Sequence, residues 1–312
     1  MTVPSARQEP MPDDVAAFDR HRRLLFSVAY QMLGSVADAE DAVQDTWLRW
    51  SAADRAGVVD PRAYLVQVTT RLALDRLSSA RTQRESYVGP WLPEPLVTAP
   101  VGSAPPGPDP AEAAEVGEEV SLALLVVLET LSPVERAVFV LREVFGLPAA
   151  EVAGILGRSE VAVRQLAHRA KEHVQARRPR FDTDRRTQRE VTEQFFAAVA
   201  GGDVDALVAV LSPGVVLTSD GGGQVKAARR PITGADKVAR FLLAIAAQGF
   251  PIPGLRTEFT DVNGTPGVVV WAGDEPYLVV SLVVAGGRVE QVLLVVNPAK
   301  LTGLRVRSAG AT

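Results

Sequence analysis

The sequence contains no cysteine and only three histidines, and aromatic residues make up only 6% of it. Without cysteine the chain has no disulfide, thiolate nucleophile, thiol redox switch or cysteine-type zinc site. Three histidines leave little for any other transition-metal site, so we expect neither a metal nor a cofactor.

Long apolar runs are also missing. No run approaches the roughly 20 residues that a membrane-spanning helix needs. Residues 1–14 carry three prolines and several acids, where a secretion signal has basic and then apolar residues. We therefore expect a cytoplasmic protein with no membrane contact.

The chain does have enough apolar content for several cores, and its charge is unevenly distributed. It has 312 residues, of which 47% are hydrophobic, and this predicts two or three domains of about 100 to 200 residues each. The net charge is only −4, yet residues 158–180 hold seven basic and two acidic side chains. This local excess indicates a polyanionic partner.

A linker is predicted at residues 86–118, which contain eight prolines, five acids and no lysine or arginine. Such a composition cannot continue a helix or fill a sheet. It separates a first helical domain, residues 14–85, from a second one, residues 119–180. A further domain is expected at residues 187–304.

The first domain has a helix near residues 38–50 with two distinct sides. Asp41, Gln44, Asp45 and Leu48 lie about 180° from its apolar side at the helical rotation of roughly 100° per residue. An acidic stripe is often only a solvated surface. Leu48 in its middle favours a docking surface for a partner helix that carries arginines.

A following helix begins at Asp60 and Pro61 and has narrow polar strips between two apolar sides. One strip contains Arg71 and Asp75, and the other contains Arg76. These strips can donate and accept hydrogen bonds to a polar partner.

In the second domain, residues 147–174 have the pattern of a helix-turn-helix, with Gly157 at the turn. A basic surface helix with no partner is the alternative interpretation. The outward side chains of the second helix can hydrogen-bond to base edges and meet phosphates. The residues that we assign to duplex DNA are Arg158, Ser159, Arg164, Gln165, His168, Arg169 and Lys171.

The last domain combines amphipathic helices with alternating strands whose turns are Asn263-Gly264 and Gly286-Gly287. Helices followed by an antiparallel sheet predict an α+β cone. The predicted fold class is therefore multidomain, with two all-α domains followed by an α+β domain.

The first two domains resemble regions 2 and 4 of a bacterial extracytoplasmic-function sigma factor. The resemblance rests on DAEDAVQDTWLRW at residues 38–50, PRAYLVQVTTRLALDRL at 61–77 and LSPVERAVFVLREVFGLPAAEVAGILGRSEVAVRQLAHRA at 131–170. It implies a transcription initiation factor that is a monomer when bound to core RNA polymerase, with the β′ clamp helices and the β flap as contacts. Whether an anti-sigma protein is a further partner is left open.

The resemblance also implies a role for each surface. Asp41, Gln44, Asp45 and Leu48 would bind the polymerase clamp. Arg71, Asp75 and Arg76, with the loop at residues 53–60, would hold the unpaired −10 strand. The basic helix-turn-helix residues would read the −35 element.

The last domain resembles the SnoaL-like domain, and the domain order is similar to the sigma factor J type of this family, in which such a domain is fused to regions 2 and 4. Three motifs support this: WLPEPL at residues 91–96, DGGG at 220–223 and NPAKL at 297–301. A lysine is expected directly after the glycines, but the sequence reads DGGGQVK. The implied interdomain regulatory residues are Trp91, Leu92, Pro93, Glu94, Pro95, Asp220, Gly221, Gly222, Gly223, Asn297 and Pro298.

Two alternatives stay open for the last domain. Asp203, Asp220, Trp271 and Tyr277 could form a catalytic or ligand-sensing pocket. Asp203 begins a helix and Asp220 precedes a turn, which are structural positions for aspartate, so we expect no enzyme and no catalytic residue. DGGG can also be a simple hairpin turn. For the whole chain, the alternative is a one-component DNA-binding regulator whose last domain senses a small molecule.

Overall fold

The structure, a computed structural model, describes residues 12–53, 58–100, 120–177, 184–249 and 252–304. These residues divide into two compact units. The first unit comprises residues up to 82 and residues 128–176, which include both helical regions. The second comprises residues 83–100, 120–127 and 177–304, so the described part of the linker belongs to the same unit as the C-terminal domain.

The helical regions are built from seven α-helices within the described residues. They are α1 (Pro12–Leu33), α2 (Val36–Ala52), α3 (Pro61–Glu85), α4 (Leu122–Leu128), α5 (Pro133–Phe139), α6 (Ala149–Leu156) and α7 (Glu160–Arg177). A π-helical turn, Val140–Val144, extends α5. None of the described helices is long and apolar enough to cross a lipid bilayer.

Capping residues set the ends of several helices. Gly34 ends α1 with φ +68°, and Ser35 caps α2, which begins at Val36, two residues before the predicted start. Ser132 and Glu135 form a capping box at the start of α5. Gly157 ends α6 in the left-handed conformation, as a helix-turn-helix requires.

A buried arginine joins the two helical regions in the core of the first unit. Arg136 is 1% exposed, its Nε donates to the carbonyl of Gln31 at 3.1 Å, and its guanidinium pairs with Glu129. Thr46 and Thr69 share a buried hydrogen bond of 2.9 Å between α2 and α3. Because buried polar groups are costly unless they are paired, these contacts fix the relative positions of the helices.

The second unit is a curved sheet with helices on one face. Its elements are β1 (Val97–Pro100), α8 (Arg185–Gly201), α9 (Val204–Val210), β2 (Leu211–Asp220), β3 (Ile232–Thr233), α10 (Ala235–Gly249), β4 (Leu255–Val262), β5 (Thr265–Ala272), β6 (Glu275–Ala285) and β7 (Arg288–Val295). The strand order is β1-β4-β5-β6-β7-β2-β3, antiparallel except for β2 beside β7. The predicted turns are confirmed, since Asn263 and Gly264, and Gly286 and Gly287, all have positive φ.

The sheet has an apolar cluster on each face because strand residues alternate. Leu278 and Val280 of β6 pack with helices α8, α9 and α10. Val279 and Val283 of the same strand pack on the opposite face with Leu92 of the linker. Leu122 and Leu301 complete this outer cluster. The linker and α4 therefore cover the apolar sheet face that α8, α9 and α10 leave open.

The structure corrects one expectation about the linker. Its composition argued against a place in a sheet, yet Val97–Pro100 form the edge strand β1, paired with β4. An edge strand tolerates proline because one side of it makes no ladder hydrogen bonds. Residues 101–118, the remainder of the predicted linker, lie outside the described residues.

Candidate functional site

The predicted acidic face lies on the outer side of α2. Asp41, Gln44 and Leu48 are exposed, and Asp45 is half-buried. Leu48 is 55% exposed, which is unusual for a large apolar side chain and leaves it available for a partner. The four side chains are therefore accessible together, as the helical spacing predicts.

Arg76 of α3 reaches this acidic face. Its guanidinium contacts Asp45 at 2.6 Å and Asp41 at 3.3 Å. Partial burial lowers the pKa of Arg76, but the hydrogen bonds that it donates to Asp45 and Asp41 outweigh this effect and raise the pKa above its ordinary value. The structure thus places Arg76 with the acidic face, whereas the resemblance implied a place with Arg71 and Asp75 at the −10 strand.

The other polar strip of α3 caps the first helix of the helix-turn-helix. Gln67 donates to the carbonyl of Gly154 at 3.2 Å, and Arg71 donates to that of Ile155 at 3.1 Å. These carbonyls end α6 and lack partners inside the helix. Asp75 is exposed one turn further along α3. Residues 54–57 of the preceding loop lie outside the described residues.

Helix α7 presents the predicted DNA-binding side chains to solvent. Ser159 caps it, accepting from the backbone N–H of Ala162 at 3.2 Å. Several of the basic groups pair with acids: Arg164 with Glu160, His168 with Glu172 at 3.5 Å, and Lys171 with Glu143 at 2.9 Å. The predicted set also includes Arg169, which lies 4.0 Å from Glu135, and the exposed Arg158 and Gln165. Exposed pairs of this kind are weak and can exchange for phosphates.

In the second unit, the WLPEPL segment lies against the end of β2, and we call this contact the linker site. Its centre is Asp220, which is fully buried. The Asp220 carboxylate accepts hydrogen bonds from the Tyr87 hydroxyl at 2.6 Å and from the Leu92 backbone N–H at 2.8 Å. Lys300 donates to it at 2.6 Å, and the Gly222 N–H at 3.0 Å. One carboxylate therefore binds both ends of the segment 87–92.

Lys300 supplies the cation that the buried carboxylate needs. It also donates to the carbonyl of Leu92 and lies 4.1 Å from the centre of the Trp91 ring. Burial lowers the pKa of Lys300, while the charge of Asp220 opposes that effect. Arg84 stacks on Trp91 at 3.7 Å, so this ring is in contact with two cations.

Tyr87 and Asn297 complete the site. The Asn297 amide donates to the Tyr87 hydroxyl at 2.9 Å, and this hydroxyl donates in turn to Asp220. Burial and the neighbouring carboxylate raise the pKa of Tyr87 well above its ordinary value, which keeps the hydroxyl protonated as a donor. Pro298 is exposed and begins a short 3-10 turn after Asn297.

The linker remains held beyond Trp91. Leu92, Pro93, Glu94 and Pro95 are buried. Asn263, in the turn between β4 and β5, then bonds to both backbone groups of Leu96. The linker thus passes directly from the linker site into strand β1.

The DGGG glycines are required by close packing as well as by a turn. Gly222 has φ +60°, and a Cβ there would lie 2.6 Å from Cγ of Asn297. Gly221 and Gly223 are similarly close to Val225 and Val88. Asp220 is the fully buried last residue of β2, and it accepts from the Gly222 N–H, as expected for an aspartate that precedes a turn, while it also binds the linker.

The sequence alone missed Tyr87, Arg84 and Lys300 as members of this site. Lys300 lies within the NPAKL motif, so its spacing from Asn297 could have indicated it. The lysine expected after the glycines is Lys226, and it is exposed. Lys300 binds Asp220 from a different part of the chain.

The candidate catalytic residues are not brought together. Asp203 caps α9, accepting from Ala206 N–H at 2.9 Å. Trp271 lies in the outer apolar cluster with Leu92, on the opposite sheet face from Leu278. Tyr277 lines a cavity between the sheet and helices α8 and α10. Four residues in such different places cannot form one acid–base site.

Comparison with known proteins supports the two helical regions and the C-terminal domain separately. The chain matches the family models of Sigma-70 region 2 at residues 17–83, Sigma-70 region 4 at 121–174 and the SnoaL-like domain at 192–296. It is 40% identical over 310 residues to the ECF RNA polymerase sigma factor SigJ of Mycobacterium tuberculosis, covering 96% of this chain and 97% of that protein. The chain belongs to the extracytoplasmic-function sigma factors.

Two further comparisons agree. The probable ECF RNA polymerase sigma factor SigI of Mycobacterium tuberculosis is 34% identical over 298 residues, covering 95% of this chain and 97% of that protein. The crystal structure of Mycobacterium tuberculosis SigJ superposes with a TM-score of 0.73 at 39% identity, covering 93% of this chain and 98% of that one. The predicted fold class and family are confirmed. This sigma factor is an alternative initiation factor that binds core RNA polymerase and promoter DNA, with a SnoaL-like C-terminal domain.

Substitution of Gly222 tests the packing of the linker site. Gly222→Ala should destabilise the second unit by about 2 kcal/mol more than Gly286→Ala, because overpacking against Asn297 adds to the cost of a left-handed alanine. Gly286 is the matched control, with φ +56° and no neighbour within 4 Å of its added Cβ. Urea unfolding followed by circular dichroism measures both. An equal loss of stability in the two variants would contradict the close contact between Gly222 and Asn297.

Proposed function

We propose that the C-terminal domain of this sigma factor modulates promoter recognition in cis by holding the linker between sigma region 2 (residues 14–85) and sigma region 4 (residues 119–180). The observation that carries the proposal is the buried carboxylate of Asp220, which bonds to Tyr87 and to the backbone of Leu92. Once one DNA-binding region has bound its promoter element, the linker sets the effective concentration of the other region at its own element. This concentration is highest when the linker length matches the distance between the two elements.

We further propose that the acidic face is the surface for the β′ clamp helices of core polymerase. Leu48 supplies exposed apolar area, and Asp41 and Asp45 supply charge beside it. Arginines on a partner helix would compete with Arg76 for the same carboxylates. Binding to core would then release Arg76 for the unpaired −10 strand, beside Arg71 and Asp75.

The α7 side chains support a role in reading duplex DNA at −35. Arg158, Arg164, Gln165, His168 and Arg169 are exposed around one helix that follows a glycine turn. Arginine and glutamine can form paired hydrogen bonds to base edges in the major groove. Ser159 and Lys171 would contact phosphates, and other parts of region 4 would contact the β flap. Such a protein works in the cytoplasm, where the polymerase and the promoters are.

The C-terminal domain is proposed to be regulatory and not an enzyme. Its separated Asp203, Trp271 and Tyr277 support this interpretation. A one-component regulator that binds duplex DNA alone would not be an extracytoplasmic-function sigma factor, the family to which the chain belongs. The acidic face favours the sigma factor, because a regulator of duplex DNA has no use for it.

Charge reversal tests the polymerase surface. The double variant Asp41→Arg with Asp45→Arg should lose association with core polymerase at least tenfold, because it repels the cationic partner. The matched control reverses two exposed acids of the C-terminal domain, Asp205→Arg with Asp274→Arg. Affinity is measured by fluorescence anisotropy of labelled full-length protein with core enzyme. Unchanged affinity of the first variant, with its circular dichroism unchanged, would remove the acidic face from the interface.

Two substitutions in α7 test the reading of the −35 element. Arg164→Ala should cost about 1 to 3 kcal/mol on the preferred sequence and relax one base position, since a base contact is lost. Lys171→Ala should weaken all sequences alike and reduce the salt dependence, as a phosphate contact does. Binding of holoenzyme to a promoter library measures both. The same loss on every sequence for Arg164→Ala would make it a phosphate contact.

Lys300 tests the regulatory role. Lys300→Met should lower promoter-directed transcription roughly fivefold, because Asp220 loses its counterion and Trp91 of the linker loses its contact with the Lys300 ammonium. Lys226→Met is the control, since Lys226 is the exposed lysine nearest the glycines. Transcription in vitro with core polymerase gives the readout. Equal activity of both variants and the unchanged protein would contradict a regulatory linker site.

A further inference from the structure

The first turn of α7 presents a valine to solvent. Val161 is 60% exposed, which is more than Leu48 of the acidic face. Other side chains of α7 supply its contacts with the core, and they are Val163, Ala167, Ala170 and Val174. Single exposed apolar side chains are common on protein surfaces, so the position of Val161 decides what it does.

Val161 lies on the same face of α7 as three side chains assigned to the −35 element. Arg164, Gln165 and His168 follow it by three, four and seven residues, and all three are exposed. At a rotation of roughly 100° per residue, Val161 is about 20° from His168 and about 160° from the buried Val163. The valine is therefore part of the surface that would face DNA.

The position of Val161 along the helix also favours contact with a base. Helix α7 begins at Glu160, and Ser159 caps it through the N–H of Ala162, so Val161 is its second residue. In a helix-turn-helix, the N-terminal residues of the second helix contact the base edges. The preceding Glu160 is held in an ion pair with Arg164. Val161 is thus among the side chains expected to meet bases and not phosphates.

The chemistry of valine selects one group of the major groove. Each base pair presents hydrogen-bond donors and acceptors there, and thymine adds a C5 methyl group. Valine neither donates nor accepts a hydrogen bond, so it gains free energy only by packing on that apolar methyl group. Its branched side chain has one strongly preferred χ1 rotamer in a helix, so little conformational entropy is lost on contact.

We propose that Val161 reads one thymine of the −35 element by packing on its C5 methyl group. This assignment rests on the proposed role of α7 at −35 and adds an apolar contact to the polar ones. Val161 is then a specificity-determining residue, because a base without the methyl group loses the contact.

Deoxyuridine tests the contact, because it differs from thymidine only in lacking the C5 methyl group. The −35 duplex that the holoenzyme prefers is prepared with each thymine of either strand replaced in turn. One replacement should weaken binding of the unchanged holoenzyme about fourfold, the effect expected when one buried methyl group is lost. Affinity is measured by fluorescence anisotropy of the labelled duplex.

Val161→Ala completes a double-mutant cycle between protein and DNA. The variant should bind the thymine duplex more weakly than the unchanged protein does, and it should no longer distinguish thymine from deoxyuridine at that position. Alanine is the best helix former, so α7 should be preserved, and circular dichroism checks this. Val15→Ala is the matched control, since Val15 is an exposed valine of another helix, α1. It should keep the full discrimination against deoxyuridine.

Two results would overturn the assignment: every thymine can be replaced without loss of affinity, or the deoxyuridine effect is as large in Val161→Ala as in the unchanged protein. Arg164→Ala on the same duplexes separates this failure from failure of the proposed function. If Arg164→Ala still relaxes one base position, α7 reads the −35 element without the valine. If the unchanged holoenzyme binds a scrambled −35 element equally well, α7 reads no sequence and both proposals are wrong.

Discussion

A carboxylate buried without solvent is tolerated only when donors surround it, and the organisation of the second unit depends on this requirement at Asp220. Its donors come from three separate segments: Tyr87 and Leu92 in the linker, Gly222 after β2 and Lys300 near the C-terminus. Loss of the Lys300 ammonium leaves the carboxylate charge uncompensated, which costs about 3 to 5 kcal/mol for a buried ion pair. The linker is therefore part of the folded domain and not a tether beside it.

The sheet binds the segments before the domain at two further places. Its outer face is covered by Leu92 and Leu122, and its edge is paired with Val97–Pro100. The residues that make both contacts therefore precede the C-terminal domain in the chain, although they are part of its fold. Opposite faces of β6 and β7 pack on the linker and on helices α8, α9 and α10. In the first unit, Arg76 connects two proposed binding surfaces. It lies on α3, the helix proposed to hold the −10 strand, and it bonds to Asp41 and Asp45 of the proposed polymerase surface.

Much of this could be predicted from local sequence. The capping box at Ser132 and Glu135, the turn at Gly157 and the Asn263-Gly264 turn depend on residues a few positions apart, and all are present. The partners of Asp220 could not be derived in this way, because Tyr87 and Lys300 are 133 and 80 residues away in the chain. The same holds for Arg71, whose contact with Ile155 spans 84 residues. The proline content of the linker was misleading at β1, where only the edge position makes the strand possible.

The central claim is that Asp220 and the linker act as one unit in promoter recognition, and a double-mutant cycle measures this most directly. Trp91→Ala and Asp220→Asn are compared singly and together in promoter-directed transcription with core polymerase. Lys300 contacts both side chains, so the two effects should be coupled, with a coupling energy of about 1 to 2 kcal/mol and a double variant little worse than the worse single one. Strictly additive effects would contradict the claim.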